Sequence, residues 1–129
     1  MKRITGEIVE ELKSIQSFLE EEYTDDPVGL LNRITKLNVY MARTGFLLAE
    51  AEADRDKVVA ATFAEHASAI TKMPSQVSQK FINALCEDEN YYVTWIERIH
   101  RTCVHQSDGI RTQISFAKEE MRMSGYGGN

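Results

Sequence analysis

The chain has 129 residues, enough for one domain with its own core. Hydrophobic residues make up 43% and charged residues 27%, with only two prolines and two cysteines, which excludes a disordered chain, a disulfide scaffold and a breaker-rich β fold. The formal net charge of −5 rests on residues 1–26, which carry eight acids against three bases, while the remaining residues hold twelve of each; that balance argues against non-specific binding to duplex DNA and leaves room for a local basic patch.

Ile8, Leu12, Ile15 and Leu19 recur at helical spacing, widened by Val9 and Phe18, and predict an amphipathic helix over 6–23 with an acidic outer face. Thr24-Asp25-Asp26-Pro27 ends it and starts the next, with Asp26 as cap and Pro27 in the first turn. A second helix is expected over 28–72, its seam formed by Leu30, Ile34, Leu37, Met41, Thr44, Leu48 and Ala51. Beyond the seam the apolar face drifts to Val59, Phe63, Ala67 and Ile70. At 1.5 Å per residue such a helix is about 68 Å long, more than a short partner covers. Those four residues are therefore assigned to contact with another subunit. Pro74-Ser75 opens a short helix over 75–85. A last long helix spans 88–122, with Tyr92, Ile96, Ile99, Cys103, Gln106, Ile110, Gln113 and Ala117 in 4-3 alternation across a tolerated Gly109. Residues 124–129 read as a flexible tail on a single helical domain of residues 1–123.

The predicted fold is thus all-α: an elongated antiparallel hairpin of two long helices, an N-terminal amphipathic helix and a short connecting helix, in a coiled-coil-like bundle. No apolar run approaches the ~18 residues of a membrane span, and Met1-Lys2-Arg3 leads straight into acidic, periodic sequence instead of a secretory signal. A cytoplasmic location and two buried thiols, Cys86 and Cys103, are the corresponding expectations.

Polar residues interrupt both seams: Gln106 and Gln113 in the last helix, Thr44 and Arg55 in the second. An antiparallel hairpin closing between residues 72 and 88 sets Arg55 near His105, Asp54 near Gln106 and Leu47 near Gln113, so that polar positions meet. The cluster is either a device that sets register and oligomer state or a ligand pocket. If it is structural, replacing Gln106 and Gln113 by Leu should stabilise the protein. Arg98, Arg101 and His105 share a helix face near Tyr91 and Trp95, extended by Arg111. This set is either a phosphate- and base-binding face or a solvated face with intrahelical pairs such as Glu97–Arg101. Arg55, Arg98, Arg101, His105, Gln106, Arg111 and Gln113 are the candidate ligand-binding residues. The scattered His66, His100 and His105 match no metal-site spacing, and neither a phosphate loop nor a catalytic set can be assembled, so no cofactor, metal or enzymatic activity is assigned.

Tyr40-Met41-Ala42-Arg43-Thr44-Gly45 with Leu47-Leu48-Ala49-Glu50-Ala51, and the stretch Thr102-Cys103-Val104-His105-Gln106-Ser107-Asp108-Gly109-Ile110-Arg111-Thr112-Gln113-Ile114-Ser115, resemble small helical proteins of unknown function encoded by tailed phages and prophages, notably of gut bacteria. The resemblance covers most of residues 28–122. It implies a non-catalytic accessory protein of a virus or mobile element, working in the host cytoplasm. Such proteins often assist DNA recombination and replication, here by binding a protein or nucleic-acid component. Others block host defences, which here means engaging an immune effector through the acidic face or holding a phosphorylated nucleotide signal in the polar seam. A homo-oligomeric assembly module is the remaining reading.

Overall fold

The computed structural model describes residues 2–127, and every regular element among them is a helix: α1 (Gly6–Glu20), α2 (Pro27–Glu65), α3 (Ala67–Ile70), α4 (Ser75–Leu85) and α5 (Glu87–Gly127). The dominant packing is α2 against α5, antiparallel, as the two-helix hairpin requires. With 39 and 41 residues these helices are each about 60 Å long. α1 lies antiparallel to α2, since Glu11 meets Arg43 and Phe18 meets Tyr40 while Asp54 binds residues 3 and 4.

The buried side of α2 runs Leu30, Arg33, Leu37, Thr44, Leu47, Ala51 and Asp54, with Tyr40 half-buried between Leu37 and Thr44. That is a 3-4 repeat, and it shares Leu30, Leu37, Thr44 and Ala51 with the predicted seam but not the positions between them. Ile34, Met41 and Leu48, chosen from the sequence because they are apolar, are half-buried on the flank of the seam. Two of its residues, Arg33 next to Leu30 at the start and Asp54 at the end, are charged. Across from it α5 buries Val93, Ile96, Ile99, Cys103, Ser107 and Ile110, and α1 adds Leu12, Ile15, Phe18 and Leu19. These side chains, apart from Ser107, join in one core.

The antiparallel register departs from the predicted one by about five helical turns. Gln106 meets Arg33, not Asp54; His100 meets Thr44; Arg55 bridges its own neighbour Asp56 while His105 is exposed elsewhere. Gln113 borders Leu30, not Leu47. The reason lies in residues 66–86. α2 stops at Glu65, seven residues short of the predicted end, although neither Gly nor Pro marks the break. There the His66 ring sets its edge against Phe81 of α4, 5.3 Å between centroids, and Ile70 of α3 is buried. The chain spends these residues on a folded-back cap, with the Cys86 thiol 3.8 Å from the Thr62 hydroxyl, and α5 therefore starts well down the flank of α2. At the other end α5 is helical through Gly127, where a flexible tail was predicted from 124; residues 128 and 129 of that tail lie outside the described residues.

Asp54, 8% exposed, fixes the N-terminal arm: its carboxylate accepts from the Arg3 and Ile4 amides at 2.9–3.0 Å. Arg3 also bridges Glu50, and Arg43 grips Glu11 with two nitrogens, at 2.7 and 2.9 Å. At the start of α2 the Asp26 carboxylate accepts from the Gly29 amide, the predicted cap. The Thr24 hydroxyl and then this amide hold the Asp26 carboxyl below its usual range, so the cap's contribution is present above that range and is lost as pH falls through the lowered value.

Gly29 packs under this turn: a Cβ there would overlap the Thr24 hydroxyl and lie 2.9 Å from the Thr24 carbonyl. A Cβ at Gly109, in the middle of α5, meets nothing within 4 Å. Gly109→Ala should therefore stabilise the protein by about 0.5–1 kcal/mol through helix propensity. Gly29→Ala should destabilise it by about 1–3 kcal/mol, because the overlap outweighs the same gain. Urea denaturation of the two variants should move the midpoint in opposite directions; a gain from both would refute the packing described at Gly29.

Candidate functional site

The chain's buried polar chemistry gathers where α1 ends between the two long helices. Arg33 projects from the seam of α2 and is 5% exposed. Its guanidinium carbon sits 3.9 Å from the centroid of the Phe18 ring and 4.7 Å from that of Tyr23. Nη2 donates to Gln106 Oε1 at 2.9 Å and reaches the Leu19 carbonyl at the outer limit of 3.5 Å. Gln106 Nε2 donates to the same carbonyl at 2.9 Å. One side chain from α2 and one from α5 thus converge on a carbonyl in the last turn of α1, a turn whose carbonyls lack intrahelical partners.

The charge balance is unusual. Arg33 forms no ion pair with a carboxylate among the described residues. An ion removed from water costs several kcal/mol. The compensation comes from two aromatic faces, each worth up to about 2 kcal/mol when desolvated, and from the partial negative charge at the carbonyl end of α1. Arg33 Nε and the Ser107 hydroxyl oxygen are buried without a hydrogen-bond partner. Burial pushes the Cys103 thiol up, against the pull of the nearby Arg33 charge, so this cysteine is held as an unreactive thiol. Three turns further along α2, the Thr44 hydroxyl lies 2.8 Å from the Tyr40 carbonyl and 3.0 Å from His100 Nδ1, and which of the two groups donates in the second contact follows the imidazole tautomer.

Of the predicted site residues, only Gln106 enters this cluster. Arg55 lies half-buried on α2, paired with Asp56. Gln113 is exposed beside Leu30 and Phe116. Arg98, Arg101, His105 and Arg111 are all exposed on α5. Arg101 bridges Glu97 at 2.6 Å and Arg111 bridges Asp108 at 3.3 Å, both within the helix, and Arg98 forms no ion pair among the described residues. Arg98, Arg101 and His105 share one side of α5 with the exposed Tyr91, whereas Arg111 is turned about a third of a circle away. Trp95 is half-buried against the core, 6.2 Å from the Tyr91 ring. Arg33 was missed because its apolar neighbour Ile34 also satisfies helical spacing; the available signal was a lone base centred between Leu30 and Leu37.

Near the N-terminal arm a cleft of about 310 Å³ is lined by Val58, Ala61 and Thr62 and by two bases, Lys2 and Lys57, against three acids, Asp54, Glu65 and Glu89. Among the described residues no three His, Cys, Asp or Glu side chains converge as a metal site would require. No helix of the described residues is long and apolar enough to cross a membrane. Comparison with protein-family models, with curated proteins and with solved structures finds no match for the chain.

The cluster replaces the sequence-based expectation for Gln106. Gln106→Leu should cost about 2–4 kcal/mol, since it strips a buried cation of its amide acceptor and the Leu19 carbonyl of its short donor. Gln113→Leu, on exposed surface, should change stability by less than about 0.5 kcal/mol. Chemical denaturation of the two single variants checks this, and stabilisation by Gln106→Leu would contradict the network.

Proposed function

We propose that the chain is a non-catalytic accessory protein, of the kind tailed phages and prophages encode, that binds a component of DNA metabolism, and that single-stranded DNA is the component it meets on α5. The observation that carries this reading is the side of α5 bearing Tyr91, Arg98, Arg101 and His105. All four are exposed, none is used by the core, and Arg101 is held only by a carboxylate of its own helix. Exposed intrahelical pairs are worth little and exchange readily for phosphate, while Tyr91 offers a stacking face. The Arg33 cluster, by contrast, is filled by its own members, and its polar atoms are spent on joining helices. A phosphorylated nucleotide signal held in the seam therefore finds less support than a ligand on the outer face.

A second reading, engagement of a basic host protein in an anti-defence role, is favoured by the exposed acids Glu7, Glu10, Glu20, Glu21 and Glu22 on and just after α1. Fluorescence anisotropy with a labelled single-stranded oligonucleotide separates the two. Binding should weaken with salt. The double variant Arg98→Ala/Arg101→Ala should lower affinity at least tenfold and reduce the salt slope by about two, roughly one per phosphate contact. No binding at low salt, or binding unchanged in the double variant, would sink the nucleic-acid reading and leave the acidic face as the working surface.

A further inference from the structure

The side of α2 opposite the seam carries a second stripe that the protomer leaves uncovered. Val28, Leu31, Thr35, Val39, Ala42, Phe46, Ala49 and Ala53 follow one another at three- and four-residue steps. Helical geometry places them together on the face turned away from α1 and α5. All but the half-buried Ala53 are exposed, Val39 at 62% and Phe46 at 56%. No charged residue interrupts the stripe over these 26 positions, which extend about 38 Å along the helix. Beyond the exposed Asp56 and Lys57 it resumes at Ala60 and Phe63, both exposed.

Two features identify what covers it. First, α2 is divided by charge. Apart from the buried seam residues Arg33 and Asp54, residues 27–49 hold Lys36 and Arg43 and no acid; residues 50–65 hold four acids, Glu50, Glu52, Asp56 and Glu65, against Arg55 and Lys57. Two α2 helices laid antiparallel set the basic half of each beside the acidic half of the other, and their helix dipoles oppose. Laid parallel, like charges meet. Second, large and small residues alternate about a point near Thr44. An antiparallel pair centred there sets Phe46 over Ala42 of the other copy, Val39 over Ala49, Thr35 over Ala53 and Val28 over Ala60, so that four of the larger side chains face alanines, while Leu31 falls opposite Lys57, whose aliphatic stem can lie along it. Interdigitation of this kind is what native packing density requires.

We propose that a second copy of this chain packs antiparallel on the outer face of α2, forming a two-fold dimer centred near Thr44. This relocates the subunit contact from the residues the sequence suggested. Ile70 is 7% exposed within its own protomer, and Val59 and Ala67 are half-buried there, which leaves only Phe63 of the four exposed. The contact is isologous, as closed dimers require, and leaves the Arg98–His105 side of α5 uninvolved.

Sedimentation of the full chain at micromolar concentration should show a dimer. Phe46→Glu should raise the dimer dissociation constant at least about tenfold, the scale expected of an anchoring interface residue, with unchanged helical circular dichroism because Phe46 is exposed and outside the core, touching within the protomer the Arg43 guanidinium at 5.7 Å. A mixture of Val39→Cys and Ala49→Cys chains, treated with a short bismaleimide linker, should give a 39–49 cross-link; the native thiols Cys86 and Cys103 are buried. A monomeric wild type, an assembly that survives Phe46→Glu, or 39–39 and 49–49 links in place of 39–49 would each overturn the proposal. None of these outcomes depends on what α5 binds.

Discussion

A buried cation with no carboxylate partner sits where the three main helices meet, and the packing is arranged around it. Arg33 occupies a seam position that a hairpin of two helices would fill with leucine. It is tolerated because α1 ends beside it, presenting carbonyls that need donors to a guanidinium that needs acceptors. Phe18 from the last turn of α1 and Tyr23 just beyond it close over the cation. Gln106 adds the only short hydrogen bond that Arg33 makes. Each group's desolvation is offset by the other two, so α1, α2 and α5 are held at one height relative to each other. An apolar core is permissive about sliding by a turn; a buried charge with one set of acceptors is not.

The opposite end of the bundle repeats the device with the sign reversed. Asp54 ends the seam of α2 as Arg33 lies one turn inside its start, and it binds the amides of Arg3 and Ile4 as the chain enters α1. The 15-residue α1 is therefore tied at its carbonyl end by a buried cation and near its amide end by a buried anion, both from one helix. Between the ties it contributes Leu12, Ile15, Phe18 and Leu19 to the core, with the Glu11–Arg43 pair on the flank. This pattern explains why polar residues interrupt the seams without forming a pocket: they replace backbone partners that helix ends lack.

How much of this was legible in the sequence follows from what each signal measures. Apolar periodicity reports the side a helix buries, and it placed α1, the hairpin pair and the continuity of α5 across Gly109. Asp26-Pro27 announced the start of α2 because capping chemistry is local. Register is not local. It depends on how many residues the turn consumes, and the break at His66 is made by contact with Phe81, fifteen residues further along the chain, not by a breaker residue. The polar cluster inherited that error: Gln106 was singled out correctly as a polar residue that needs a partner, yet the seam position belongs to Ser107, with Gln106 half-buried beside it, and the partner assigned to Gln106 was wrong. Choosing Ile34 over Arg33 compounded it, since two adjacent residues compete for one seam position and hydrophobicity alone selects the wrong one. The outer stripe of α2 was overlooked for a related reason, because a helix with apolar residues on two sides shows no single clear face.

The central claim is that Arg33 holds α1 onto the hairpin, and hydrogen exchange reads it most directly. In Arg33→Ala the amides of α1 from Val9 to Leu19 should lose protection and exchange through a local opening, while the α2–α5 core around Leu37, Leu47, Ile96 and Ile99 keeps protection closer to that of the wild type. If α1 in Arg33→Ala stays as protected as in the wild type, the cluster does not hold the bundle together and the account fails at its base.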